Sequence, residues 1–198
     1  MDKRLDVNYI KKLTEEMSKK SIVTFDELPK YDLFLSQVID YLNDEFPDEK
    51  FTNNIVQNYI KSEVITKPED RKKRGYTKVH LIQLVLLSYM RPVLTTEEIK
   101  KVFRLAFNEI NDRNDDIITW EETFKTFVNI QEDSTHECII SSLINDEKLE
   151  KIIKNFDLKN KEEDRIKIFI IVLILIQEAS IIKKIVQKLV NEYYVDED

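Results

Sequence analysis

Apolar positions recur at helical spacing along most of the chain. From Tyr31 to Phe46, Leu33, Phe34, Val38, Ile39, Tyr41 and Leu42 form a wide stripe that Pro47-Asp48-Glu49 ends. A shorter helix is expected over about 52 to 63, with Thr52 as its N-cap. Ile55, Val56, Tyr59 and Ile60 take one side of it. Asn53, Asn54, Gln57, Asn58 and Lys61 fall within an arc of roughly 140° on the other. Helical period is lost from Val64 to Arg74, where Pro68 favours extended or turn backbone. Thr77 then opens a helix to Met90 that is apolar nearly all round, the pattern of a centrally buried element.

Capping boxes punctuate the second half of the chain. Thr95-Thr-Glu-Glu98 predicts a helix to about Asn111, and a charged break runs from Asn111 to Asp116. Thr119-Trp-Glu-Glu122 and Ser134-Thr-His-Glu137 each open an amphipathic helix. Leu149, Ile152, Ile153 and Phe156 mark a short one, and a long helix from about Glu162 to Tyr194 is apolar on every side in its middle. Ahead of all these, Ile10, Leu13 and Met17 give residues 3 to 20 the stripe of a short helix that must lean on something else. Thr24-Phe-Asp-Glu27 matches a capping box that Pro29 soon interrupts. The expected division is an N-terminal helical extension over 1–23, a folded unit over 24–94 and a helical unit over 95–198.

Composition agrees with helices. One glycine and four prolines leave few hairpin turns, and 42% hydrophobic with 35% charged residues describes a well-folded chain. A lone cysteine, Cys138, excludes an intrachain disulfide and points to a reducing cytoplasm. No signal peptide is expected, because Met-Asp-Lys-Arg-Leu-Asp has no apolar core behind it. The longest apolar run, Ile168 to Ile176, is about half the roughly 20 residues a membrane span needs. It is core, or the seam of a dimer.

Charge singles out one region. Residues 50 to 80 hold eight Lys/Arg against three acids, net +5, in a chain of net −7. Such a positive site on a negative body attracts a polyanion in one direction. The amides of the 52–63 helix match adenine edges in a major groove, and lysine reaches guanine or phosphate. Candidate DNA-contacting residues are therefore Thr52, Asn53, Asn54, Gln57, Asn58, Lys61, Arg71, Lys72, Lys73, Arg74, Tyr76 and Lys78. The single glycine, Gly75, closes the basic run and suggests positive φ or a close backbone approach.

Other chemistry finds little support. His80 and His136 lie 56 residues apart with no ligand spacing around either. Cys138 precedes Ile139-Ile140 and reads more readily as a buried hydrophobe than as a redox sensor. The acidic run Asp112 to Asp116 lacks the glycine and closing glutamate of a calcium loop. No phosphate-cradling glycine loop or nucleophile motif is present, so no catalytic residue, metal or cofactor is expected. Trp120, Phe124 and Phe127 line an effector pocket or, more commonly for such a stripe, form core.

The order of helix, polar-faced helix, basic ribbon and buried helix is the plan of a winged helix-turn-helix. Tyr59, Val64-Ile65, Pro68, Arg74, Tyr76-Thr77 and Leu81 resemble the DNA-binding domain of the MerR family, with Glu63 where those proteins usually place glycine. Over about 28–103, Leu28-Pro29, Tyr31, Gln37, Asn58-Tyr59, Lys61, Arg74, Tyr76 and His80-Leu81 resemble an uncharacterised bacterial family of small MerR-like putative regulators, a domain of unknown function. The resemblance implies an all-α fold with a small β wing, the winged unit occupying 24–94 and a C-terminal helical domain serving dimerisation and effector sensing. The expected function is a cytoplasmic transcription regulator, homodimeric and bound to double-stranded DNA, with its effector unidentified. The alternative is a helical protein–protein interaction module that does not bind DNA.

Overall fold

A computed structural model describes residues 8–9, 12–13, 16, 22–68, 75–132, 146–156 and 158–193. Among these residues there are seven α-helices and no β-strand. We number them α1 (Leu35–Glu45), α2 (Asn53–Lys61), α3 (Lys78–Met90), α4 (Thr96–Phe103), α5 (Trp120–Glu132), α6 (Asp146–Lys154) and α7 (Asn160–Tyr193).

Local chemistry starts most of them. Gln37 Oε1 accepts from Phe34 N at 3.0 Å at the head of α1, and Thr52 Oγ1 accepts from Ile55 N at 3.4 Å at the head of α2. Thr95 and Glu98 exchange bonds before α4, as Thr119 and Glu122 do before α5. His80 substitutes for glutamate at α3, its Nδ1 accepting from Thr77 N at 3.1 Å. Each arrangement satisfies amides that a helix end leaves unpaired. The expected box at Ser134–Glu137 lies outside the described residues.

α3 is the centre. Every residue from Val79 to Met90 is buried, and α3 touches α1, α5 and α7. A single buried cluster runs from Val23 to Ile176 through both halves of the chain. Trp120 stacks on Phe107 with ring centroids 3.5 Å apart, and Phe103 and Phe169 meet the same pair edge-on. Trp120, Phe124 and Phe127 are all core, so this stripe lines no effector pocket.

α4 ends at Phe103 rather than near Asn111. The Arg165 guanidinium of α7 donates to the carbonyls of Arg104 and Leu105. That contact satisfies the exposed carbonyl end of α4 from outside, and the chain turns so that Phe107 can reach Trp120.

The expected winged helix-turn-helix is not the fold, because the arms flanking 69–74 do not pair with each other. Along the first arm, Val64 N and Ile65 N donate to the Tyr59 carbonyl, Thr66 N to Gln83 Oε1 and Lys67 N to Asn111 Oδ1. On the second arm, Tyr76 pairs with Leu33 in an isolated antiparallel bridge and Thr77 N goes to His80. With these backbone groups committed elsewhere, the described residues hold no two-stranded wing. Gly75 is buried without positive φ, so the expected left-handed turn is not there. Among the described residues, the left-handed one is Glu63, at φ 56°.

α7 has 34 residues and would measure about 51 Å. Ile166, Phe169, Ile170, Leu173, Ile174, Gln177, Ser180 and Ile181 face the body, and burial stops after Ile181. No described helix is long and apolar enough to cross a membrane.

Candidate functional site

The residues expected to contact DNA separate into three groups. Asn53, Asn54, Asn58 and Lys61 are exposed on α2, as the arc predicted. Gln57 is half-buried, and its Nε2 donates to the Tyr76 hydroxyl at 3.5 Å. Tyr76 is buried, bridges Leu33 and meets the His80 ring edge-on at 5.6 Å. Gln57, Tyr76 and His80 thus fasten α2 to α3, and Thr52 caps α2. Lys78 points elsewhere: its Nζ lies 3.3 Å from the Phe25 ring centre, with Lys125 of α5 4.4 Å from the same ring. Burial there, ahead of neighbouring charges, holds the Lys78 ammonium below its usual pKa. Arg71, Lys72, Lys73 and Arg74 lie outside the described residues.

With no two-stranded wing among the described residues to set the phosphate register, this arrangement does not make the expected MerR-like reader of double-stranded DNA. The expected MerR-like regulator falls with that wing. The homodimer expected to accompany DNA binding loses its basis too. Its proposed seam, Ile168 to Ile176, supplies Phe169, Ile170, Leu173, Ile174 and Ile176 to the chain's own core. Lys167, beside that run, pairs with Glu150 of α6 and with Glu163.

Beside α2, an open groove of about 530 Å³ is lined by Ile55, Asn58, Tyr59, Lys61, Ser62, Arg91 and Thr96. Its half-buried cation is already engaged: Arg91 lies 3.9 Å from Glu49 and stacks over Phe51. No group of acidic, histidine or cysteine residues suited to a metal ion occurs among the described residues.

Among the described residues, the outer face of α7 carries a long row of exposed aliphatic side chains. Ile168, Leu175, Ile182, Val186 and Val190 are exposed by 40% to 58%. Their spacings of seven, seven, four and four place them within one arc of a 3.6-residue helix. Ile171, Val172, Ile185 and Leu189, half-buried, widen the stripe. It spans about 33 Å from Ile168 to Val190. Lys183 Nζ donates to the Pro92 carbonyl at 2.8 Å and Lys184 lies 3.9 Å from Asp48, so both ammonium groups beside the stripe are turned towards the body. Tyr9 donates to Glu192 near the far end. Sequence reasoning stopped at Ile176 and missed the outer half. The seven-residue recurrence of Ile168, Leu175, Ile182 and Leu189 was the signal that could have found it.

No curated protein matches the sequence, and no solved structure matches it. The model of a family described as a domain of unknown function (DUF1836) matches residues 23–127, a stretch that runs from Val23 through most of α5 and leaves α7 outside. Nothing ties that domain to MerR-like regulation. Since the match covers more than half of the chain, the protein belongs to this uncharacterised family.

Proposed function

We propose that this chain is a non-catalytic helical interaction module that engages another protein through the outer face of α7. The observation that carries the reading is the aliphatic stripe Ile168, Leu175, Ile182, Val186 and Val190, left exposed by a helix whose opposite face is firmly in the core. Isolated exposed aliphatics are ordinary; a contiguous row along one helix face is the pattern of an interface. Each of these side chains is already about half covered, so burying the remainder yields about 1 kcal/mol each, and it is the row as a whole that can offset ordering costs. The lone Cys138 supports a reducing compartment as the place of action.

The test is a photo-crosslinking side chain placed singly at Leu175, Ile182 or Val186 and, as control, at exposed Lys101, in cells of the native host. A discrete adduct at Val186, absent at Lys101 and lost when Ile182→Glu is added, is the expected result. No adduct at Val186, Ile182 or Leu175 would overturn the reading.

A further inference from the structure

The α7 face says more than that something apolar covers it. Ile168, Leu175, Ile182 and Leu189 recur every seven residues, and Ile171, Glu178 and Ile185 follow each of the first three by three. These are the two seam positions of a heptad pattern, sustained over three repeats. A straight helix drifts by about 20° per heptad against a strict seven-residue repeat, so a partner that follows this stripe along its length must supercoil with it. The matching occupant is another α-helix rather than a strand or a flat surface.

One seam position is charged. Glu178 is half-buried between Leu175 and Ile182, and it makes no hydrogen bond or ion pair among the described residues. Burial pushes its carboxyl above the usual range, with no neighbouring cation offsetting it. The nearby cations of the helix are spent: Lys183 and Lys184 turn to Pro92 and Asp48. Lys188 lies about 15 Å further along the helix axis.

Building on the interaction reading above, we infer that the occupant is an amphipathic helix of a different protein, carrying an aliphatic seam interrupted by a basic residue that pairs with Glu178. A second copy of this chain fits poorly. Glu178 sits at the middle of the 168–189 seam, so parallel and centred antiparallel self-pairing both bring two Glu178 carboxylates together in a half-desolvated site. Like charges there repel, whereas an opposite charge sets register and partner choice.

Two synthetic four-heptad helical peptides with a Leu/Ile seam, identical except for Lys or Glu at one central seam position, test this against the full chain by fluorescence anisotropy. The Lys peptide should bind about tenfold more tightly than the Glu peptide, and the preference should fall below about twofold in Glu178→Gln. Ile182→Glu should abolish binding of both, with an unchanged circular dichroism spectrum showing that the fold survives. Equal affinity for the two peptides would overturn the basic-residue inference while leaving the interaction reading standing. Failure of both peptides to bind would overturn the helical occupant, and the crosslink at Val186 would still decide the broader reading. A dimer of the unmodified chain in sedimentation at neutral pH, dispersed by Ile182→Glu, would overturn the inference in favour of a second copy.

Discussion

Lys100 of α4 reaches the end of α2, where its Nζ donates at 3.1 Å both to the Glu63 carboxylate and to the Ser62 carbonyl. Glu63 is the one described non-glycine residue with positive φ. The ammonium therefore holds a residue that is intrinsically strained there, where the left-handed conformation costs about 1–2 kcal/mol outside glycine. The pair is largely solvent-facing on the Glu63 side, so its own contribution is small.

Glu63→Gly should accordingly raise the urea midpoint, by about 0.5–1 kcal/mol in stability, even though it deletes the ion pair. Glu63→Val, branched at Cβ, should lower stability by about 1–2 kcal/mol. A loss on Glu63→Gly would mean that the Lys100 contact outweighs the backbone strain.

The two faces of α7 should respond differently to substitution. Ile170→Ala or Ile174→Ala, in the core, should cost about 2–5 kcal/mol in chemical denaturation. Val186→Ser or Ile182→Ser, on the outer face, should change stability by no more than about 0.5 kcal/mol. Comparable losses on both faces would show that the outer face is already covered in the isolated chain.

Gln83 joins the stretch after α2 to α3. It accepts from Thr66 N at 2.9 Å and donates to Thr66 Oγ1 at 2.6 Å, fully buried. Gln83→Leu leaves the Thr66 amide unpaired, and the expected cost is about 1–3 kcal/mol. Amide hydrogen exchange should show faster opening at Thr66, with little change in the middle of α5.

Alkaline pH should weaken the fold. Burial, ahead of the nearby Glu45 and Glu27 carboxylates, holds the Tyr41 hydroxyl well above the tyrosine range. Tyr89, whose oxygen accepts from Val23 N at 3.0 Å, is raised chiefly by burial as well. Above about pH 10 the unfolded chain releases protons that the folded chain keeps, so stability falls as pH rises from there. Ultraviolet titration should show Tyr41 and Tyr89 ionising only with unfolding. Their smooth titration in the folded state would contradict their burial.

Asp116 titrates in the opposite range. Its pKa is raised to about 6, first by burial and then by the neighbouring Asp115 carboxylate. The folded state holds a proton that the unfolded state has lost between about pH 4 and 6, so this group's contribution is fullest below that window and is lost as pH rises through 6. Asp116→Asn should raise the denaturation midpoint at pH 7 and leave it unchanged near pH 4. An equal gain at both values would exclude ionisation as the cause.

Helix starts were legible because their chemistry is local. Thr52, Thr95 and Thr119 bond within three residues, and Thr77 does so with His80, so each start is visible in a short window of sequence. The uniform apolarity of 79 to 90 likewise marked α3 as central before any packing was known. The connecting stretch was not legible. Thr66 and Lys67 find partners at Gln83 and Asn111, 17 and 44 residues away. Nothing local distinguishes an arm with those destinations from the first strand of a wing.

The outer face of α7 shows the same limit from the other side. Its seven-residue recurrence is written in the sequence, yet a helix apolar all round presents no preferred side to its own core. The choice was made by the body it lands on, where α3, α4, α5 and α6 all meet α7. Their aromatic and aliphatic surfaces took Ile166, Phe169, Ile170 and Leu173 and reached no further than Ile181. The seven-fold spacing was a property of the chain; which residues stayed in water depended on how much of a long helix a small core could cover.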